Sequence, residues 1–127
     1  YSGNQLACAA AIACLEIFEK EKTLDNLQPK IKILENRLKE ISNLTHTGDV
    51  RNKGFMAGIE LVEDKKSKKP YKWEEKMGWQ IAYHARDNGV FIRPLGNVIV
   101  IMPPLNISSE NLEHMLKVIK DAINAKT

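Results

Sequence analysis

The stretch from Asn88 to Leu105 constrains the fold of this chain more than any other. Two short apolar runs, Val90 to Ile92 and Val98 to Met102, flank a segment of turn formers. Pro94 fixes its own φ and pushes Arg93 toward extended backbone. Gly96 and Asn97 supply the freedom that a tight reversal needs. The pattern predicts a β-hairpin with Arg93 at the end of its first strand. The second strand is apolar on both faces, which sets it inside a sheet rather than at an edge. Pro103 and Pro104 stop it. A planar guanidinium at the rim of such a hairpin matches a carboxylate or a phosphate. The alternative is an arginine paired with a nearby Asp or Glu of its own chain, or facing water.

The rest of the chain reads as helices in front and a mixed unit behind. Asn4 is a good N-cap for a helix running to about Lys20. Its first half, Leu6 to Ala13, is small and apolar nearly all round, which is the signature of a helix enclosed by other protein. Thr23 opens a second helix with Leu24, Leu27, Ile31, Leu34, Leu38 and Ile41 on one stripe, a core face. Pro29 either kinks that helix or marks its true first turn. After Asn43 the period changes. Thr45 to Arg51 and Phe55 to Glu63 are strand-like, divided at Asn52, Lys53 and Gly54. Gly58 inside the second strand implies close approach of another backbone. Glu60 is either an ion-pair partner within the unit or solvent-facing.

Asp64 to Lys69 form a charged loop whose plainest role is a solvated surface. Trp73, Met77, Ile81 and Ala85 make the apolar face of a third helix that Gly89 terminates, with His84 near its C-terminal end. The two tryptophans and Tyr83 suggest an aromatic cage, but aromatics at helical spacing pack into cores, and core is the expectation here. Ser108 or Ser109 caps a last helix with Leu112, Met115, Leu116, Ile119 and Ile123 inward. The order after residue 44 is β-β-α-β-β-α. Helices on one face of a small, mainly antiparallel sheet make an α+β architecture. The expected division is a helical segment over 1–44 and an α+β unit over 45–127.

Composition narrows the function classes. With 127 residues the chain is one domain's worth, and its net charge of +3 is small and scattered. It lacks the interleaved basic and aromatic residues of nucleic-acid binders, and no apolar run reaches the length of a membrane span. Cys8 and Cys14 lie six residues apart on different faces of one helix, so they cannot bridge each other, and free thiols point to a reducing, cytoplasmic setting. No histidine lies near them to build a metal site. The chain opens on Tyr1 rather than methionine, as a fragment or a processed chain does.

Three separated motifs carry a resemblance. Gly89-Val90, Ile92-Arg93-Pro94-Leu95-Gly96 and, after an apolar strand, Met102-Pro103-Pro104 resemble the C-terminal signature of the class III aminotransferases. Gly54-Phe55-Met56-Ala57-Gly58-Ile59-Glu60-Leu61 and the opening Tyr1-Ser2-Gly3-Asn4-Gln5-Leu6-Ala7-Cys8-Ala9-Ala10-Ala11 are similar to segments of the same enzymes, in the same order. Within the family the similarity is strongest to the branch that aminates 8-amino-7-oxononanoate in biotin biosynthesis. The resemblance implies the C-terminal small domain of a fold-type I enzyme, pyridoxal 5'-phosphate as cofactor, a large domain and a homodimer. It also implies that the Schiff-base lysine, the acid at the pyridine nitrogen and the ring-stacking aromatic lie earlier in the protein, so this chain alone does not transaminate.

Arg93 matches the family arginine that grips the substrate carboxylate. Tyr1 and Ser2 directly follow the position of the residue that binds cofactor phosphate across the dimer, which implies at most a flanking role for them. Some members that use S-adenosylmethionine as amino donor carry a tyrosine where this chain has Val100. A valine donates no hydrogen bond, so lysine is the alternative donor. An ω-amino acid or acetylornithine aminotransferase shares parts of the pattern. A stand-alone ligand-binding module, or a dimerisation domain, has the same β-β-α-β-β-α order. Neither accounts for both the apolar first helix and Arg93.

Overall fold

The computed structural model describes residues 2–127, and within it the Asn4 side chain accepts a hydrogen bond from the Ala7 amide at 3.0 Å to start α1 (Gln5–Lys20). No residue of α1 is buried. Leu6 (84% exposed), Ile12 and Leu15 are largely uncovered, while Ile17 and Phe18 are half-covered beside the start of α2. Lys22 in the left-handed region (φ 48°) then turns the chain into α2 (Thr23–Ser42). Pro29 lies well inside this helix and not in its first turn. Leu27, Leu34, Leu38 and Ile41 are buried as expected, but Leu24 is exposed. It lies in the first turn of α2, one turn before Leu27, where the helix runs past the end of the packed core.

Seven elements follow: β1 (Thr47–Lys53), β2 (Met56–Asp64), β3 (Lys69–Pro70), α3 (Met77–Asp87), β4 (Pro94–Leu95), β5 (Val98–Ile101) and α4 (Ser109–Lys126). Every strand pairing is antiparallel, the order is β1-β2-β5-β4, and β3 pairs with the end of β2. The apolar strand β5 is interior, as its two apolar faces require. Helices α2, α3 and α4 cover one face of the sheet. Leu34, Ile41, Ile59, Leu61, Ile81, Ile99, Leu116 and Ile119 form one core, so α2 shares its packing with residues 45–127. The Ser108 hydroxyl caps α4 by accepting from the Asn111 amide at 3.1 Å.

Both hairpins differ in register from the sequence expectation. The first turn consists of Gly54 (φ +57°) and Phe55, not Asn52 to Gly54, because Lys53 pairs with Met56 and Phe55 is buried. In the second, Val90 to Arg93 are not paired to another strand. Pro94 and Leu95 pair with Ile99 and Val98 around Gly96 (φ +58°) and Asn97. A positive φ at the first turn residue alone fits a type II′ reversal, whose twist suits a two-residue hairpin. Arg93 therefore precedes the paired segment instead of ending it. Gly58 is not a close-approach glycine, since a Cβ there would meet only Val98 Cγ1 at 3.5 Å. Trp73 is 74% exposed, in a single 3₁₀ turn (Trp73–Glu75) before α3, and takes no part in the apolar face expected of it.

The charged loop has a local role. Lys65 Nζ donates to the Ser42 and Leu44 carbonyls at 2.6 and 3.0 Å, satisfying acceptors at the C-terminal end of α2. Asp64 accepts from the Ser67 hydroxyl and from the Ser67 and Lys66 amides, at 3.1 and 3.2 Å for the two amides. These bonds, the Ser67 hydroxyl first, hold the Asp64 carboxyl below its ordinary value. A carboxyl with a depressed folded value contributes stability above its unfolded pKa and loses it as pH falls through the folded one.

Two outcomes follow from this packing. Leu116→Ala is expected to lower unfolding free energy by about 2–5 kcal/mol in urea melts, whereas Leu6→Ala leaves the midpoint within error. Ser67→Ala should move the Asp64 titration, followed by carboxyl carbon NMR, upward toward the ordinary range, with smaller shifts at other acids.

Candidate functional site

The uncovered face of the sheet can be read row by row from its register. Arg51 of β1 lies opposite Gly58 of β2, and Gly58 opposite Val100 of β5. Extending the pairing of β4 by one residue sets Arg93 beside Val100. The next row holds Asp49, Glu60, Val98 and Leu95. Along the chain the alternation is regular: Val90, Ile92 and Pro94 are buried, while Phe91, Arg93 and Leu95 are exposed. Pro94 faces the helices, and Arg93 stands on the open side with Phe91 (85% exposed) and Leu95 (67% exposed). A recess of about 450 Å³ runs along this face, lined by Arg51, Met56, Gly58, Leu95, Val98 and Val100 among others. With strands roughly 4.8 Å apart, Arg51 and Arg93 bound a mostly apolar strip on the order of 14 Å wide.

The two arginines differ in their surroundings. Arg51 donates to Asp49 and, at 3.3 Å, to Glu60, and these carboxylates, Asp49 first, raise its pKa further. The ion-pair reading of Glu60 thus holds, with Arg51 as the partner. Arg37 pairs with Glu40 and Glu113 at 2.8 and 2.6 Å, and Arg86 with Asp87 at 3.3 Å. Arg93 has no hydrogen bond or ion pair among the described residues. Of the two alternatives, an internal ion pair is not formed among the described residues, and Arg93 faces water. Asp49 sits two residues before Arg51 on β1, and Glu60 reaches Arg51 from β2 across a hairpin whose turn lies at Gly54 and Phe55.

Tyr1 lies outside the described residues. Ser2 is exposed in the turn that enters α1, shares no hydrogen bond with Arg93, and does not line the recess beside it. No lysine among the described residues is buried. Among the described residues no cluster of three or more His, Cys, Asp or Glu is placed to hold a metal ion. No described helix is long and apolar enough to cross a membrane.

The aromatics expected in the core lie outside it. Trp73, Trp79 and Tyr83 border a second recess, about 650 Å³, together with Gln80, Gly96 and Asn97. Trp79 and Tyr83 stack at a tilt with centroids 5.8 Å apart, and Arg86 lies 5.1 Å over the Tyr83 ring. Met77, Ile81 and Ala85 fill the core side of α3, which leaves these rings on its outer side.

Residues 1–123 match the family Aminotransferase class-III. The adenosylmethionine-8-amino-7-oxononanoate aminotransferase of Aquifex aeolicus is 52% identical over 123 residues, 97% of this chain and 27% of that protein. The protein of the same name from Methanocaldococcus jannaschii is 47% identical over 97% of this chain and 27% of its own length. Its crystal structure aligns with a TM-score of 0.96 at 46% identity, covering 99% of this chain and 29% of that one. A PMP-bound aminotransferase from Vibrio fluvialis aligns at 0.88 with 30% identity, over 93% and 26%. The chain spans about a quarter of the curated relatives it matches. Its helix-covered antiparallel sheet agrees with the small domain of the fold-type I transferases. By sequence over nearly its whole length, and by fold, the chain belongs to the class III aminotransferases, a family of pyridoxal-phosphate enzymes.

Proposed function

We propose that this chain is the C-terminal part of an aminotransferase that converts 8-amino-7-oxononanoate to 7,8-diaminononanoate in biotin biosynthesis, and that Arg93 binds the substrate carboxylate. The observation that carries the reading is the unpaired Arg93 on an apolar, open face, where Arg37, Arg51 and Arg86 all have acids of their own. A guanidinium fork fixes one end of a long aliphatic acid, and Leu95, Val98 and Val100 give its methylenes an apolar surface. Anchoring that end determines where the distant carbonyl comes to rest, the positional part of catalysis.

The remaining machinery belongs to the large domain of the same protein. Pyridoxal phosphate, when bound there, supplies the electron sink for amino transfer. Of residues 1–44, α1 leads from that domain into a unit in which α2 packs with residues 45–127. Tyr1 and Ser2 flank the cofactor phosphate across the interface of a homodimer. The two exposed free thiols, Cys8 and Cys14, fit a cytoplasmic enzyme. The amino donor is S-adenosylmethionine or lysine. Val100 offers no hydrogen bond to the former, which favours lysine.

In the full-length protein, Arg93→Ala removes a charge-assisted contact worth about 1.5–3 kcal/mol, so affinity for the keto acid should fall roughly ten- to hundredfold. Arg93→Lys restores the charge without the fork and should recover part of the loss. Stopped-flow measurement of each half-reaction separates the donors. A lysine donor that docks its carboxylate on Arg93 weakens both halves, and a donor that bypasses Arg93 leaves its own half intact. Unchanged keto-acid binding with a lowered melting temperature would show Arg93 to be a scaffold residue.

A further inference from the structure

Arg93 is a flexible side chain on a hairpin of two paired residues per strand, and something must hold that hairpin still for the guanidinium to meet a carboxylate in register. Two-residue pairing does little by itself. The holding contact lies on the opposite side of the hairpin. Gly78, buried in the first turn of α3, packs directly against the turn of the hairpin. A Cβ built on Gly78 would fall far inside van der Waals contact of the Gly96 carbonyl oxygen and 2.9 Å from Pro94 Cβ. The backbone of α3 and the backbone of the turn therefore touch with no side chain between them. Pro94 is the residue that follows Arg93, and its ring is buried on the helix side while Arg93 points the other way. The Asn97 side chain adds a second tether, donating to the Tyr71 carbonyl at 2.8 Å.

We infer that Gly78 is a positioning residue for substrate recognition: by letting α3 seat the Gly96 turn and Pro94, it sets the location of the Arg93 guanidinium. The inference rests on the reading of Arg93 as the carboxylate anchor. An alanine at this position would force the turn and the helix apart by on the order of 1 Å before ordinary contact distances return. The obstructing atom is backbone, so no side chain can rotate away to relieve it. Productive sites hold their groups to within about 0.5 Å, and a misplacement near 1 Å can cost on the order of a hundredfold.

A second glycine provides the control. Gly48, at a register irregularity in β1, is equally crowded, but by the Val62 side chain and at the other end of the sheet order from β4. Gly48→Ala should stress the fold without touching the hairpin.

The test uses the full-length protein with 8-amino-7-oxononanoate and its methyl ester, which keeps the chain but removes the charge. The readout is the preference for acid over ester in the keto-acid half-reaction. Gly78→Ala is expected to reduce that preference about tenfold or more, approaching Arg93→Ala, while Gly48→Ala preserves it whatever its melting temperature. If Gly78→Ala does not accumulate, Pro94→Ala loosens the other side of the same contact without adding an atom and should reduce the preference about threefold.

An unchanged preference in Gly78→Ala, or in Pro94→Ala when that variant is used, overturns the inference. So does an equal loss in Gly48→Ala. If Arg93→Ala itself leaves the preference intact, the failure lies with the assignment of Arg93 and not with the seat.

Discussion

Burial of the sheet on one face only is the constraint from which the other features follow. Ile59, Ile99 and Ile101 face three helices and are almost completely removed from water. Their strand neighbours Gly58, Glu60, Val98 and Val100 face outward and are half-exposed. Because side chains alternate strictly along a strand, the residues that make the core fix which residues are left outside it. The open face is thus not a free design choice. It is the complement of the core, and it carries both the apolar strip and Arg93.

Charge on the molecule is distributed with the same asymmetry. On the helix side, Arg37, Glu40, Glu113 and Lys120 join α2 to α4 in one network at the surface, with separations of 2.6 to 2.8 Å. Such exposed pairs add little stability, but they neutralise one another where the helices meet. On the open face, Asp49 and Glu60 occupy Arg51. The acids available near an arginine are already engaged, and this leaves Arg93 able to receive an outside anion without breaking an internal pair. An affinity that required such a pair to open would be lower by its strength.

Much of this was legible in the sequence, and the misses have physical causes. Periodicity identified α2, α3 and α4 because each buries a continuous stripe against one core. Leu24 and Trp73 continue two of those stripes by spacing, but Leu24 falls in the first turn of α2 and Trp73 in a 3₁₀ turn before α3, and both are exposed. Phe55 read as a strand residue because turns are seldom apolar, yet here the second turn position is buried, which displaced the hairpin by one residue. Pro94 read as part of the turn, although it pairs in an edge strand, which has no need of its missing amide. Arg93 was legible as a lone arginine at a rim. That it lacks an acid was not, because only the pairing of β1 with β2 sets Glu60 beside Arg51 and leaves Arg93, at the other border of the sheet, without one.

The short strand β4 has one more consequence. It is the outer strand of the sheet, and an outer strand normally exposes a row of backbone donors and acceptors to any passing chain. Pro94 offers no amide hydrogen, and only Leu95 accompanies it in the ladder. This border is therefore poorly equipped to recruit a peptide by strand addition. An approaching group meets side chains there rather than a row of free backbone donors, a consequence of the same proline that shapes the hairpin.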